Sequence, residues 1–314
     1  MLRSFLIATL LLLSACRETP DTPLRMAINP WPGYEFLYLA ERLKLFEAEG
    51  VNVRILQFSS LNDARRAYEQ GKVDGFGGTL IEVLMARQNS PRQPRLVYLP
   101  DYSNGGDLII GQRELADLKA LAGKRVAIEP GTLNTYILSR ALQRHGLGLP
   151  QVSLVAMPQA EMAYALESGQ IDAAVTYPPF SVAMLKSPKV KRLFDTREIP
   201  GEVLDVLVVD ASTLEARPED VARMLRAFTR AIDYSREHPK EAYTIMAERE
   251  GLSLEDFQAA IEQDLHILGA QEQAQFYGPE QRLLKALQST QQVLLDSGAL
   301  TAEQDLPSLI VTPR

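Results

Sequence analysis

The stretch AYEQGKVD, Ala67–Asp74, recurs later in the chain as ALESGQID, Ala165–Asp172. In both copies a helical Ala-x-Glu runs into a glycine, and an aliphatic-Asp pair opens a new apolar run two residues on. Glycine just past a helix end is a common stop signal, because it takes a left-handed backbone without a Cβ penalty. The pairing therefore reads as helix, stop, strand, written twice.

Outward from the first copy, Leu24–Asn29 reads as a strand and Pro30–Gly33 breaks it. Tyr34–Glu49 is a helix with Phe36, Leu37, Ala40 and Leu43 on one face, stopped by Gly50. Strands at Val51–Phe58, Val73–Phe76 and Arg95–Leu99 alternate with helices at Leu61–Gln70 and Thr79–Arg87. Around the second copy, strands at Lys124–Ile128, Val152–Ala156, Ile171–Val175 and Val190–Phe194 alternate with helices at Leu133–His145, Glu161–Glu167 and Ser181–Leu185. One more strand, Val203–Val209, precedes a helical tail at Pro218–Glu237, Pro239–Arg249, from Ser253, and about Glu280–Asp296. Two successive β-α-β-α-β runs predict an α/β protein with two similar lobes. The order predicts lobe 1 over residues 24–105 and 205–304 and lobe 2 over residues 112–200, with the chain crossing near Asp107–Gly111 and Gly201–Val206.

The chain has 314 residues, enough for two domains at roughly 100–200 residues each. Its 33 basic and 40 acidic residues give a net charge of −7. That balance argues against nucleic acid and against a polybasic membrane-surface binder. One cysteine leaves no internal disulfide, and the three histidines, His145, His238 and His266, have no metal-ligand spacing. No catalytic motif, metal site or cofactor is expected, and the protein is read as a monomer. There is no Gly-x-Ser-x-Gly elbow.

The single cysteine sits in Leu13-Ser14-Ala15-Cys16, after Arg3 and an apolar run from Phe5 to Leu13. That run is too short to span a bilayer, which takes about 20 residues, and reads as an export signal. The four residues look like a lipobox. Residues 1–15 are then a lipoprotein signal peptide, Cys16 is the lipidated residue, and residues 16–23 are a polar tether. The body would lie outside the cytoplasm, anchored to a membrane through its lipid.

Open α/β lobes bind ligands beyond the carboxyl ends of their strands, where helix N-termini offer free N–H groups. The turns there are rich in small hydroxyls, glycines and aromatics. They nominate Trp31, Tyr34, Ser59, Ser60, Gly78, Thr79, Asp101, Ser103 and Asn104 from the first run. Thr132, Asn134 and Tyr177 come from the second. Trp31, the only tryptophan, and Tyr34 would supply aromatic surface. The turns contain no Lys or Arg, while Asp101 and Glu129 stand at strand ends. The expected ligand is a small neutral or cationic nitrogen-containing molecule. Glu35, Glu82 and Glu161 read as helix N-terminal acids facing solvent.

The chain also resembles a known family: the solute-binding proteins of nitrate, sulfonate, taurine and thiamine-pyrimidine importers, the SsuA-like group. The motifs are Trp31-Pro-Gly-Tyr34, Ala40 with Leu45-Phe46 and Gly50-Val51, Gly71-x-Val73-Asp74, and Asp101-Tyr-Ser-Asn-Gly105. Further on come Leu118 with Gly123-Lys124-x-Val126-Ala127, Gly169-x-Ile171-Asp172-Ala173 and His238-Pro-Lys-Glu-Ala242. The resemblance covers about residues 24–300. It implies a type II periplasmic-binding fold, with mixed, mostly parallel sheets in two lobes joined by two hinge strands. It implies capture of a small molecule for the permease of an ABC importer. The same bilobed lipoprotein could instead close on its ligand and dock on a transmembrane signalling receptor. Pyrimidine-forming enzymes on this fold use a cysteine-rich iron-binding stretch, for which this chain has no cysteines. Where family members often carry an acidic residue after the last repeat strand, this chain has Tyr177-Pro178-Pro179-Phe180.

Overall fold

The computed structural model describes residues 22–311. Residues 1–15, Cys16 and most of the tether lie outside them. The first run is β1 (Leu24–Ile28), α1 (Glu35–Arg42), α2 (Leu45–Glu49), β2 (Val53–Gln57), α3 (Leu61–Glu69), β3 (Gly75–Thr79), α4 (Leu80–Asn89), β4 (Pro94–Tyr98) and β5 (Asp101–Ser103). The second is β6 (Leu108–Gln112), β7 (Arg125–Ile128), α5 (Leu133–Arg144), β8 (Ser153–Ala156), α6 (Gln159–Glu167), β9 (Ala173–Thr176), α7 (Phe180–Leu185) and β10 (Val190–Asp195). Then come β11 (Asp205–Asp210), α8 (Ala211–Ala216), α9 (Pro218–Glu237), α10 (Pro239–Glu250) and α11 (Leu254–Ala259). A π-helical turn leads into β12 (Leu265–Ile267), α12 (Ala270–Tyr277) and α13 (Arg282–Asp296).

Two five-stranded sheets result, in the orders β2-β1-β3-β11-β4 and β10-β6-β9-β7-β8. The early strands of each run pair in parallel. β11 enters the first sheet antiparallel to both β3 and β4, and β6 enters the second antiparallel to both β9 and β10. The two sheets thus share one plan.

The repeat that predicts this plan has a physical basis in each lobe. Asp74, one residue before β3, accepts the backbone N–H of Arg25 at 2.9 Å and holds its guanidinium at 3.1 and 2.7 Å. Asp172, one residue before β9, holds Arg125 in the same way, at 2.8 Å from the backbone and 3.1 and 2.9 Å from the side chain. The aspartate fastens the middle strand to its parallel neighbour at the same register in both sheets.

Several details depart from the sequence expectation, among them Leu108–Gln112, which is a strand of the second sheet where a crossing at Asp107–Gly111 is expected. The helix read from Tyr34 to Glu49 is broken at Lys44, which takes a left-handed backbone with φ of 56° and starts α2. The strand read at Val73–Phe76 runs on through Gly77 and Gly78 to Thr79. A two-stranded ribbon of β5 and β12 joins segments far apart in sequence.

The chain passes between the sheets twice. The two passages touch: Tyr102 bridges Leu204, and the Ser103 N–H donates to Val203 at 3.0 Å. α9 packs on α1 and α2, whereas α13 lies against both α4 and α5. The last long helix therefore bears on both halves of the molecule.

Candidate functional site

A small cavity, with room for about one water, lies between the lobes, walled by Asn29, Trp31, Tyr34, Leu61, Thr79, Asp107, Leu133, Tyr177 and Asp205. It sits where the strand ends of both sheets face each other. Four of the nominated residues meet there: Trp31, Tyr34, Thr79 and Tyr177. Trp31 is 4% exposed, stands edge-on to Tyr177 at 6.2 Å, and donates its indole N–H to Asp101 at 3.3 Å. The Tyr34 hydroxyl donates to Asp205. The backbone is fitted to these groups: a Cβ on Gly33 would collide with the Asp101 carboxylate, and one on Gly77 would press on the Tyr34 ring at 3.1 Å.

The other nominated residues serve the frame. Ser60 and Thr132 cap α3 and α5, accepting the N–H groups of Asp63 at 3.1 Å and Asn134 at 3.3 Å. Thr79, on the cavity wall, caps α4 in a reciprocal box with Glu82. Ser59 is exposed and donates to Asp63. Gly78 lies inside β3, beneath the Phe76 ring. Ser103 bonds Thr196 at 2.7 Å and receives the Asp107 N–H at 3.0 Å, tying down the first passage between lobes. Asn104 gives its backbone N–H to Asp264. Asn134 accepts from the Glu129 N–H and from Gln159, at 3.0 and 2.7 Å, fixing the loop before α5. Three of the nominated hydroxyl residues at strand ends, Ser60, Thr79 and Thr132, thus cap the helix that follows.

Asn29 and Asp205 carry no signal in the sequence that marks them for the cavity, and the sequence reading places Glu82 wrongly. Glu35 and Glu82 were expected to face solvent, yet both are fully buried, while Glu161 is exposed. Glu82 spans the cleft. One oxygen accepts the backbone N–H of Leu133 at 2.9 Å, at the start of α5. The other accepts the Thr79 N–H at 3.0 Å and the Thr79 hydroxyl at 2.5 Å. A carboxylate from one lobe therefore occupies the N-terminal dipole of a helix in the other.

The site is acidic throughout. Burial pushes Asp101, Asp107 and Glu129 up to about 7, with neighbouring carboxylates adding to the shift of Asp107 and Glu129. Burial raises Asp205 further, beside Asp101, and burial also raises Glu82 against its several hydrogen bonds. Arg65 approaches Glu129 and Glu82 but is held on its own helix by Glu69 and, at 2.6 Å, by Asn62. Among the described residues no group of three His, Cys, Asp or Glu side chains is arranged to hold a metal ion.

Comparison with known proteins places this architecture. A family model described as "NMT1/THI5 like" matches residues 31–242, about two thirds of the chain. The chain belongs to the NMT1/THI5-like family. A Bacillus subtilis protein, provisionally named for binding aliphatic sulfonates, is 25% identical over 204 residues, 63% of this chain and 60% of that one. A Brucella abortus protein, provisionally named only as a binding protein, is 26% identical over 144 residues, 45% of each chain. The chain therefore spans about half of the length of these curated relatives. The alkanesulfonate-binding protein SsuA of Xanthomonas axonopodis pv. citri, solved bound to MOPS, superposes with a TM-score of 0.78 at 17% identity. That match covers 92% of this chain and 98% of the other. The fold is the type II periplasmic-binding fold that the family resemblance implied, with two lobes of mixed sheet.

Proposed function

We propose that this protein is a lipid-anchored, extracytoplasmic solute-binding protein that takes a small molecule between its lobes and hands it to the permease of an ABC importer. The observation that carries the reading is the interlobe cavity. Its walls come from both lobes, its aromatic side chains are packed in place, and two of its buried polar atoms, Asn29 Oδ1 and Asp107 Oδ2, meet no donor among the described residues. Buried polar groups in folded proteins are almost always hydrogen-bonded, and exceptions gathered at one cavity are what a ligand site needs. The names of the relatives, which concern sulfonate and other binding proteins, support the same role. Capture of the solute draws the lobes together across the two passages near Ser103 and Val203. Anchoring rests on Leu13-Ser14-Ala15-Cys16.

Replacing the wild-type chain with Cys16→Ala in cells tests this role. The expected result is protein lost from the membrane fraction and lost import of the solute that co-purifies with the wild type. Unchanged fractionation together with unchanged import contradicts it.

A further inference from the structure

We infer that the cleft takes a small organic cation bearing N–H donors, an ammonium or amidinium group, and is wired against anions; the inference rests on the cleft being the solute site proposed above.

The wall offers acceptors that await a donor. Asn29 Oδ1 and Asp107 Oδ2 receive no hydrogen bond from any described residue, Asp205 has beyond Tyr34 only the neighbouring carboxyl of Asp101, and each of the three residues is at most 3% exposed. The Tyr177 hydroxyl beside them has Asn29 as its one polar neighbour among the described residues. Leaving such acceptors unmade in a dry site is expensive, and a ligand N–H is the group that satisfies them. Asp101, Glu82 and Glu129 stand behind this wall, so the local field favours positive charge. The faces of Trp31, Tyr34 and Tyr177 add the aromatic surface that organic cations prefer.

The seat for an anion is taken. A free sulfonate or phosphate group would bind at the N-terminus of α5, where unpaired N–H groups and the helix dipole converge. Glu82 already accepts the Leu133 N–H there from the opposite lobe, fully buried. An incoming anion must displace that carboxylate or lie against it, and the repulsion grows as water leaves the cleft.

Protons give the inference a signature. Asp107 and Asp205 line the cleft, Asp101, Glu129 and Glu82 stand behind them, and all five carboxyls are raised by burial. Tyr34 and Tyr177 are the other titratable groups there, and Arg65 is the basic one. A cation arriving near neutral pH ionises carboxyls and releases protons, whereas an anion draws protons in.

The test uses protein stripped of co-purified solute by dialysis. Calorimetry is run in two buffers of different ionisation enthalpy with acetamidinium, n-butylammonium, acetamide and methanesulfonate. The expected result is binding of one or both cations at least about tenfold tighter than acetamide, with proton release, weakened about tenfold or more by Asp107→Asn. Asp205→Asn, whose amide oxygen can still accept from Tyr34, carries the same test if Asp107→Asn does not fold. Methanesulfonate binding where the cations do not bind overturns the inference and leaves the solute-binding reading intact. Equal binding of acetamide and acetamidinium also overturns it. If no cation binds although native mass spectrometry shows a small molecule leaving on dialysis, the inference alone fails. If no small molecule leaves and no probe binds, both fail.

Discussion

The carboxylate of Glu82 crosses the cleft to accept the backbone N–H of Leu133 at 2.9 Å, so the first turn of a helix in one lobe is capped by a side chain of the other. The same carboxylate closes the capping box of its own helix through Thr79. Closure and local helix stability therefore share one side chain. Glu82→Ala removes both contacts. It is expected to destabilise the protein by about 1–3 kcal/mol, from one lost cap and one orphaned N–H. It should also increase the radius of gyration of the solute-free chain in small-angle scattering. An unchanged radius together with an unchanged melting temperature would show that Glu82 does not hold the lobes.

Raised carboxyl pKa values in the cleft make a prediction about pH. Asp101, Asp107 and Glu129 titrate at about 7 when folded and near 4 when unfolded, so between those values the folded chain holds more protons. Their contribution to stability is present at pH 4 and declines as pH rises through about 7. Asp74, Asp172 and Asp210 have lowered values, through arginine and serine hydrogen bonds that outweigh burial, and act in the opposite sense below pH 4. The solute-free protein should thus melt at a higher temperature at pH 5 than at pH 8, with a smaller difference in Asp107→Asn. A melting temperature that rises over this range contradicts the assignment.

The frame was easier to read in the sequence than the site, for a physical reason. Helix stops at Gly71 and Gly169 and apolar periodicity are local, and the structure bears them out; Ser60, Thr79 and Thr132, nominated as contacts, cap helices. The buried acids are not local. Glu82 occupies the third position of a helix, where acids usually face water, and only the approach of α5 buries it. Asp205 opens an apolar strand, and only its position beside Asp101 and Tyr34 gives it a role. The pairing of β5 with β12 joins Ser103 to Leu265, a contact that no window of sequence contains. The break at Lys44 was missed because a left-handed lysine leaves no compositional mark.

The repeated Arg–Asp fastening predicts unequal costs for equivalent changes. The Arg25–Asp74 pair is more buried than Arg125–Asp172, with side-chain exposures of 37% and 19% against 46% and 23%. Solvent screens the more exposed pair more strongly. Asp74→Asn should lower the melting temperature more than Asp172→Asn, and neither should change solute affinity. The reverse order in a thermal melt, or a loss of affinity in either variant, would show that the two lobes do not use the device alike.

Trp31 belongs to both the wall and the core, so truncation to alanine would mix the two. Trp31→Phe keeps an aromatic ring and removes the donor to Asp101. The expected result is a loss of stability of about 1–2 kcal/mol, from one buried bond to a carboxyl. Affinity for the solute should fall about two- to tenfold, from lost stacking area. Because Trp31 is the only tryptophan, the wild-type fluorescence should respond directly to solute. Unchanged affinity in Trp31→Phe and a silent wild-type signal would remove Trp31 from the site.

The most direct measurement is a high-resolution crystal structure of the protein purified without unfolding. The predicted result is compact density for one small molecule between Trp31, Asp107 and Asp205, with a donor atom within hydrogen-bond distance of Asn29 Oδ1 or Asp107 Oδ2. Separate water molecules alone in that cavity, in protein whose native mass equals that of the chain without a small molecule, would contradict the account.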